Sequence, residues 1–147
     1  MASTTKNLVD IDLMFRAFSD PTRLRLLHLL QIHSELCVCD LVSVLELPQP
    51  LVSRHLAYLK RAGLVQDRRV GQWKHYSLTV AECSFHSNLL CCVSKCFSEV
   101  PEFVEDAKQA AKTLRSKGCC GPTGISQPTT DDHLQSGTPD SRRRPST

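Results

Sequence analysis

Apolar residues recur at helical spacing near the start of the chain. Leu8, Ile11, Phe15 and Phe18, with Met14 alongside, predict a first amphipathic helix. Ser19-Asp20-Pro21 stops it and starts another, with Asp20 as N-cap and Pro21 at the first helical position. From Thr22 to about Ile32, Leu24, Leu26, Leu27, Leu29 and Leu30 make the segment apolar on more than one side, as expected of a central core helix. A third helix is expected from about Glu35 to Leu45, with Ser34 as its N-cap and Cys37 in its first turn. Leu47-Pro48-Gln49-Pro50 reads as a turn. A fourth helix runs from Pro50 to about Ala62, with Val52, Leu56 and Leu59 inward and Gly63 as terminator.

The period then drops to two. Leu64 to Val70 reads as a strand, Gly71-Gln72 as a turn and Trp73 to Leu78 as the returning strand. A basic-tipped hairpin after a helix-turn-helix is the wing of a winged helix, so the fold expected is mainly α with a small β-hairpin. Helix resumes from about Val80, with Leu89, Leu90, Val93 and Phe97 as an apolar stripe, until Val100-Pro101 interrupts it. From Glu102 to about Lys117 a charged amphipathic helix places Phe103, Val104, Ala107, Ala111 and Leu114 on one face. After Gly118 the composition turns to Gly, Pro, Ser, Thr and Asp. The division expected is a winged helix-turn-helix domain over 1–100, a C-terminal helix over 101–117 and a disordered tail over 118–147.

Charge sharpens this picture. The net charge is only +3, but the segment from Gln49 to Tyr76 carries +5 by itself, from Arg54, Lys60, Arg61, Arg68, Arg69 and Lys74 against Asp67. One basic block on the fourth helix and hairpin suits a phosphate-facing surface. No run approaches the ~18 apolar residues of a membrane span. The first twelve residues lack the order of a signal peptide, so a cytoplasmic location without membrane attachment is expected. Eight cysteines in a reducing compartment point to metal binding or thiol chemistry rather than a disulfide framework. No Gly-rich phosphate loop or Cys-x5-Arg pattern is present, which speaks against a thiol enzyme such as an arsenate reductase. The chain is read as a non-enzyme.

Several linked segments then carry a resemblance. Phe18 to Leu24 (FSDPTRL), Glu35 to Leu41 (ELCVCDL), Pro48 to Leu56 (PQPLVSRHL), Leu59 to Val65 (LKRAGLV) and Gly71 to Tyr76 (GQWKHY) together resemble the ArsR/SmtB family over roughly Leu8 to Phe97. These are small winged-helix repressors of bacteria and archaea. The resemblance implies a homodimer, formed through the first helix and the helix after the wing, on a palindromic operator upstream of a resistance operon. Effector binding releases the DNA.

The fourth helix is expected in the major groove, with Gln49 bonding adenine and Arg54 reaching guanine or phosphate. Ser53 and His55 are shorter-range donors. Arg68, Arg69, Gln72 and Lys74 on the wing hold the flanking backbone or minor groove.

For the inducer, Cys37 and Cys39 lead. Thiolates bind soft ions such as As(III) or Sb(III), and a helix start favours thiolate. Two residues apart on a helix, the two thiols point to nearly opposite faces, so either the helix distorts to let them share an ion or each thiol pairs with ligands from elsewhere. Distortion of the third helix would displace the fourth and release DNA. Arsenic-responsive family members carry a third cysteine shortly after this pair, where Val42 stands here. Cadmium- and lead-responsive members draw further cysteines from an N-terminal extension, which has none here. Cys91, Cys92 and Cys96 are therefore candidates for a third ligand or a second site, with Cys92 and Cys96 on one helix face. No organic cofactor is expected. Other readings of the same fold are a redox- or persulfide-sensing repressor and a cadmium- or lead-responsive one. Two further readings carry less weight: a zinc-regulated member using His86 and a metal-buffering protein with vestigial DNA binding. Cys83 reads as a core cysteine.

Overall fold

The computed structural model describes residues 6–81 and 83–116. The elements are α1 (Leu8–Phe18), α2 (Pro21–Ile32), β1 (Leu36–Cys37), α3 (Val38–Leu45), α4 (Gln49–Arg61), β2 (Val65–Val70), β3 (Trp73–Leu78), α5 (Ser84–Cys96) and α6 (Pro101–Ser116). The tail expected after Gly118, with Cys119 and Cys120, lies outside the described residues.

Local chemistry accounts for most of the boundaries. Asn7 and Asp10 close a reciprocal capping box at α1. Asp20 accepts from the Arg23 N–H, with Pro21 behind it, at α2. Gly63, at φ +77°, ends the turn after α4. Gly71, at φ +61°, opens the two-residue loop that lets Val70 pair with Trp73. Leu26, Leu27, Leu29 and Leu30 of α2 are all buried, and the helix touches α1, α4, α5 and α6. Val52, Leu56 and Leu59 bring α4 onto that core. Gln31 fixes α5 by donating to the Leu90 carbonyl at 2.6 Å.

Three expectations change. The third helix begins at Val38 rather than near Glu35, and Ser34 is not its N-cap. Leu36–Cys37 is a short strand on the free edge of β3, in a sheet ordered β1-β3-β2, with Leu36 opposite Tyr76 and Cys37 opposite His75. Cys37 is the N-cap of α3, in extended backbone. The helix after the wing begins at Ser84 rather than near Val80.

The buried face of α6 is also rotated from the apolar stripe. Phe103, Asp106, Ala110 and Thr113 point inward, while Val104 and Leu114 are more than one-third exposed. The reason is charge. Arg25 of α2 grips Asp106 through two hydrogen bonds of 2.7 and 2.6 Å, which sets the helix rotation and packs α6 against α2 and α3.

This packing has a pH consequence. His28 stacks on Phe103 at 4.8 Å between ring centres, and its Nδ1 is buried without a hydrogen bond. Burial lowers its pKa from the ordinary 6.5, against the opposing pull of Asp106. The fold therefore favours the neutral imidazole of His28. Its contribution is complete above about pH 6.5 and is lost as the pH falls from there through the depressed folded value. Denaturant midpoints measured from pH 7.5 downward should fall over that window, and His28→Leu should flatten the slope.

Candidate functional site

The strand–helix junction at Cys37 brings two thiols and a carboxylate together. Because Cys37 is extended rather than helical, it does not face away from Cys39. Cys39 Sγ donates to Cys37 Sγ at 3.0 Å and lies 4.0 Å from Asp40 Oδ1. One donor atom from each of Cys37, Cys39 and Asp40 falls within 4.8 Å of the others, a spacing that fits one soft ion. This corrects the expectation that the two thiols meet only if α3 distorts. Cys37 and Asp40 are buried and Cys39 is half-buried. Asp40, which the sequence reasoning did not select, is signalled by its place one residue after the Cys-x-Cys.

A cavity of about 470 Å³ opens beside this cluster, lined by Cys37 and Asp40 together with His33, Glu35, Arg68 and His75. Arg68 of β2 donates to both Glu35 oxygens at 2.7 Å, and His75 Nδ1 lies 3.4 Å from Glu35 Oε1. The Arg68 guanidinium holds the Glu35 carboxyl below the usual carboxylate range. Thus the residue two before Cys37 is tied to both strands of the wing.

Among the described residues the later cysteines form no three-donor group. Among the described residues the cluster that can hold a metal is Cys37, Cys39 and Asp40. Cys92 and Cys96 sit one turn apart on the exposed side of α5, with Cys91 half-buried. A hydrogen bond with Cys96 pushes the Cys92 thiol up. Cys83 is the N-cap of α5, and His86 is buried on the same helix.

The expected DNA-reading set divides in two. Gln49, Arg54, Arg69, Gln72 and Lys74 are exposed, and Ser53 is half-buried. His55 turns inward, with Nδ1 3.7 Å from Asp20 Oδ1 at the start of α2. Arg68 is engaged by Glu35, and Lys60 and Lys74 share Asp67. Arg54 and Arg69 enter no ion pair among the described residues, so they present the least compensated charge. Arg54→Ala should weaken binding to a specific duplex by about 1–3 kcal/mol if Arg54 reads a base. If it contacts phosphate, the loss is uniform across sequences and the salt slope falls by about 1. Anisotropy titrations at several salt concentrations, on specific and random duplexes, separate the two.

Comparison with known proteins agrees with this architecture. The family model for bacterial regulatory proteins of the arsR family matches residues 20–67. The arsenic resistance transcriptional regulator ArsR1 of Pseudomonas putida is 50% identical over 66 residues, which are 45% of this chain and 52% of that protein. The chain thus spans about half the length of that relative. The arsenical resistance operon repressor of Bacillus subtilis is 35% identical over 80 residues, covering 54% of this chain and 76% of that protein. Among solved structures, HlyU from Vibrio cholerae superposes with a TM-score of 0.55 at 30% identity, covering 65% of this chain and all of that one. With the matched segment running from the α2 cap through α4 into the wing, this chain belongs to the ArsR family of bacterial regulatory proteins and has its winged-helix fold.

Proposed function

We propose that the chain is a DNA-binding transcriptional repressor of a metal or metalloid resistance operon. Its inducer is a soft ion, As(III) or Sb(III) foremost, bound through Cys37 and Cys39. The observation that carries this reading is the 3.0 Å Sγ–Sγ approach of the two thiols with Asp40 beside them, at the junction of β1 and α3. The names of the matched relatives, arsenic and arsenical resistance regulators, support the inducer class.

Position explains the coupling. Cys37 belongs to a strand paired with the wing, and Cys39 to a helix packed against α4. Ligation draws the two sulfurs onto one centre and replaces their mutual S–H contact. The resulting shift at the junction bears on both DNA-facing elements. An ion releases DNA only to the extent that it binds the released arrangement more tightly.

A homodimer completes the reading. Leu8, Val9 and Phe15 of α1 are exposed by 79, 73 and 52%, and Phe15 meets Phe85 of α5 edge-on at 5.2 Å. These exposed apolar residues of the first helix, with Phe85 of the post-wing helix beside them, suit a self-complementary contact. The dimer presents two copies of α4 to double-stranded operator DNA, with Gln49, Ser53 and Arg54 toward bases and Arg69, Gln72 and Lys74 on the backbone.

The test is fluorescence anisotropy of the protein on duplex from its own promoter region, with arsenite, antimonite, cadmium and zinc added under reducing conditions. Release by a soft ion is expected. Binding that no ion disturbs, or no duplex preference over random DNA, contradicts the reading. A second reading, release by oxidation, follows from the same short sulfur–sulfur distance. It requires that release fail in the presence of reductant.

A further inference from the structure

We infer that Glu35 is a positioning residue that couples the Cys37–Cys39 site to the wing, its carboxylate clasping Arg68 of β2 from the position just before β1. The inference rests on the reading of Cys37 and Cys39 as the inducer site and names the contact through which that site reaches the far strand of the wing.

Sheet register puts Arg68 on the side of the thiols. β3 lies between β1 and β2, with Cys37 opposite His75 and His75 opposite Arg68. Directly opposed residues project from the same face of a sheet. Arg68 therefore shares a face with Cys37, and both line one cavity with Val70 and His75. Arg69 and Lys74, opposed to each other one place along, project from the other face. Asp67 is on that second face too, and there Lys60 of α4 pairs with it. The two adjacent arginines of β2 thus serve different sides of the wing: Arg69 the side of the reading helix, Arg68 the side of the ion site.

The clasp has the geometry of a directional link. Arg68 Nε and a terminal guanidinium nitrogen donate to the two Glu35 oxygens, each at 2.7 Å. Two parallel bonds fix orientation as well as distance. His75 Nδ1 lies 3.4 Å from Glu35 Oε1, so one carboxylate meets both strands of the hairpin. The Arg68 side chain is exposed, and an ion pair open to solvent adds little to fold stability. Its effect is on linkage. The β1–β3 pairing covers two residues and stops at β3, whereas the clasp passes over β3 and reaches β2. Glu35 is two residues from Cys37, so a displacement of Cys37 on ligation moves Glu35, and Glu35 carries Arg68 and β2 with it.

The test measures coupling, the ratio of operator dissociation constants with and without saturating arsenite. It uses the reduced full-length protein at one salt concentration, because salt screens an exposed pair. Glu35→Gln should lower that ratio about 2–30-fold, the range over which linking residues act. Its arsenite affinity off DNA and its thermal midpoint should stay close to wild type. A role confined to holding the fold would move the midpoint and leave the ratio. Arg68→Gln should lower the ratio equally, and the double variant no further, since both act through one contact. In the unsubstituted chain the Arg68 Nε–H resonance should shift as arsenite is added, a readout that needs no variant to fold. An unchanged ratio in Glu35→Gln, additive losses in the double variant, or a stationary Arg68 resonance overturns the inference while leaving the thiol site standing. Operator binding by the wild type that neither arsenite nor antimonite disturbs overturns the inducer reading on which it rests.

Discussion

Cys37→Ser combined with Cys39→Ser is expected to abolish inducer-dependent release while leaving operator binding intact. Taking operator occupancy from 99% to 1% needs about 5.5 kcal/mol of differential ion affinity between the bound and released states. A hydroxyl pair cannot supply this to a soft ion, because its hard oxygens stay protonated and favour water. Operator affinity itself should move by no more than about 0.5 kcal/mol, since neither thiol lies on the exposed face of α4 or of the wing. Some stability is lost, because Cys37 is 1% exposed and burying its hydroxyl replacement costs about 1 kcal/mol. Titrating arsenite against the variant–operator complex measures the response. Full release at the wild-type concentration would place the sensing elsewhere, with the exposed Cys92 and Cys96 pair the next to test.

Asp106→Ala should be the most destabilising of the single substitutions considered, by about 2–3 kcal/mol. Asp106 has a side chain only 4% exposed and takes both hydrogen bonds of Arg25, whose side chain is 27% exposed. Truncation leaves a half-buried guanidinium facing an empty position. Partial access to water keeps the cost below that of a fully enclosed charge. Arg25→Met in the same background removes the stranded charge and should recover part of the loss. Urea unfolding of the single and double variants gives both numbers. The result also tests whether α6 is integral to the core, as its packing on α2 and α3 requires. A cost near zero for Asp106→Ala would show that the Arg25 pair does not fix α6 on the core.

Elements set by local punctuation were legible in the sequence. The inward stripe Val52, Leu56 and Leu59 follows from period alone, and Gly71 with its following residue marks the hairpin loop. What stayed hidden depends on partners far along the chain. Ser34 has good cap chemistry, yet Leu36–Cys37 is drawn into strand by Tyr76 and His75, and a two-residue strand carries no periodic signal. That single displacement is why the thiols meet instead of diverging. The rotation of α6 depends on Arg25, 81 residues away, and apolar spacing favoured the wrong face. The ion pairs of Arg68 with Glu35, of His55 with Asp20 and of Lys74 with Asp67 could not be read from a charge count, so three residues expected at DNA also carry partners within the protein. Asp40 was adjacent to the motif but needed the extended Cys37 to bring its carboxylate within range of both sulfurs.

The central claim is that thiol ligation and DNA binding exclude one another. The direct test loads the protein–operator complex with increasing cadmium or arsenite under reductant, following ion–thiolate absorbance and operator anisotropy in the same cuvette. Anisotropy should fall in step with the first equivalent of ion taken up by Cys37 and Cys39. A complex whose thiols are saturated while the duplex remains bound at full anisotropy would contradict it.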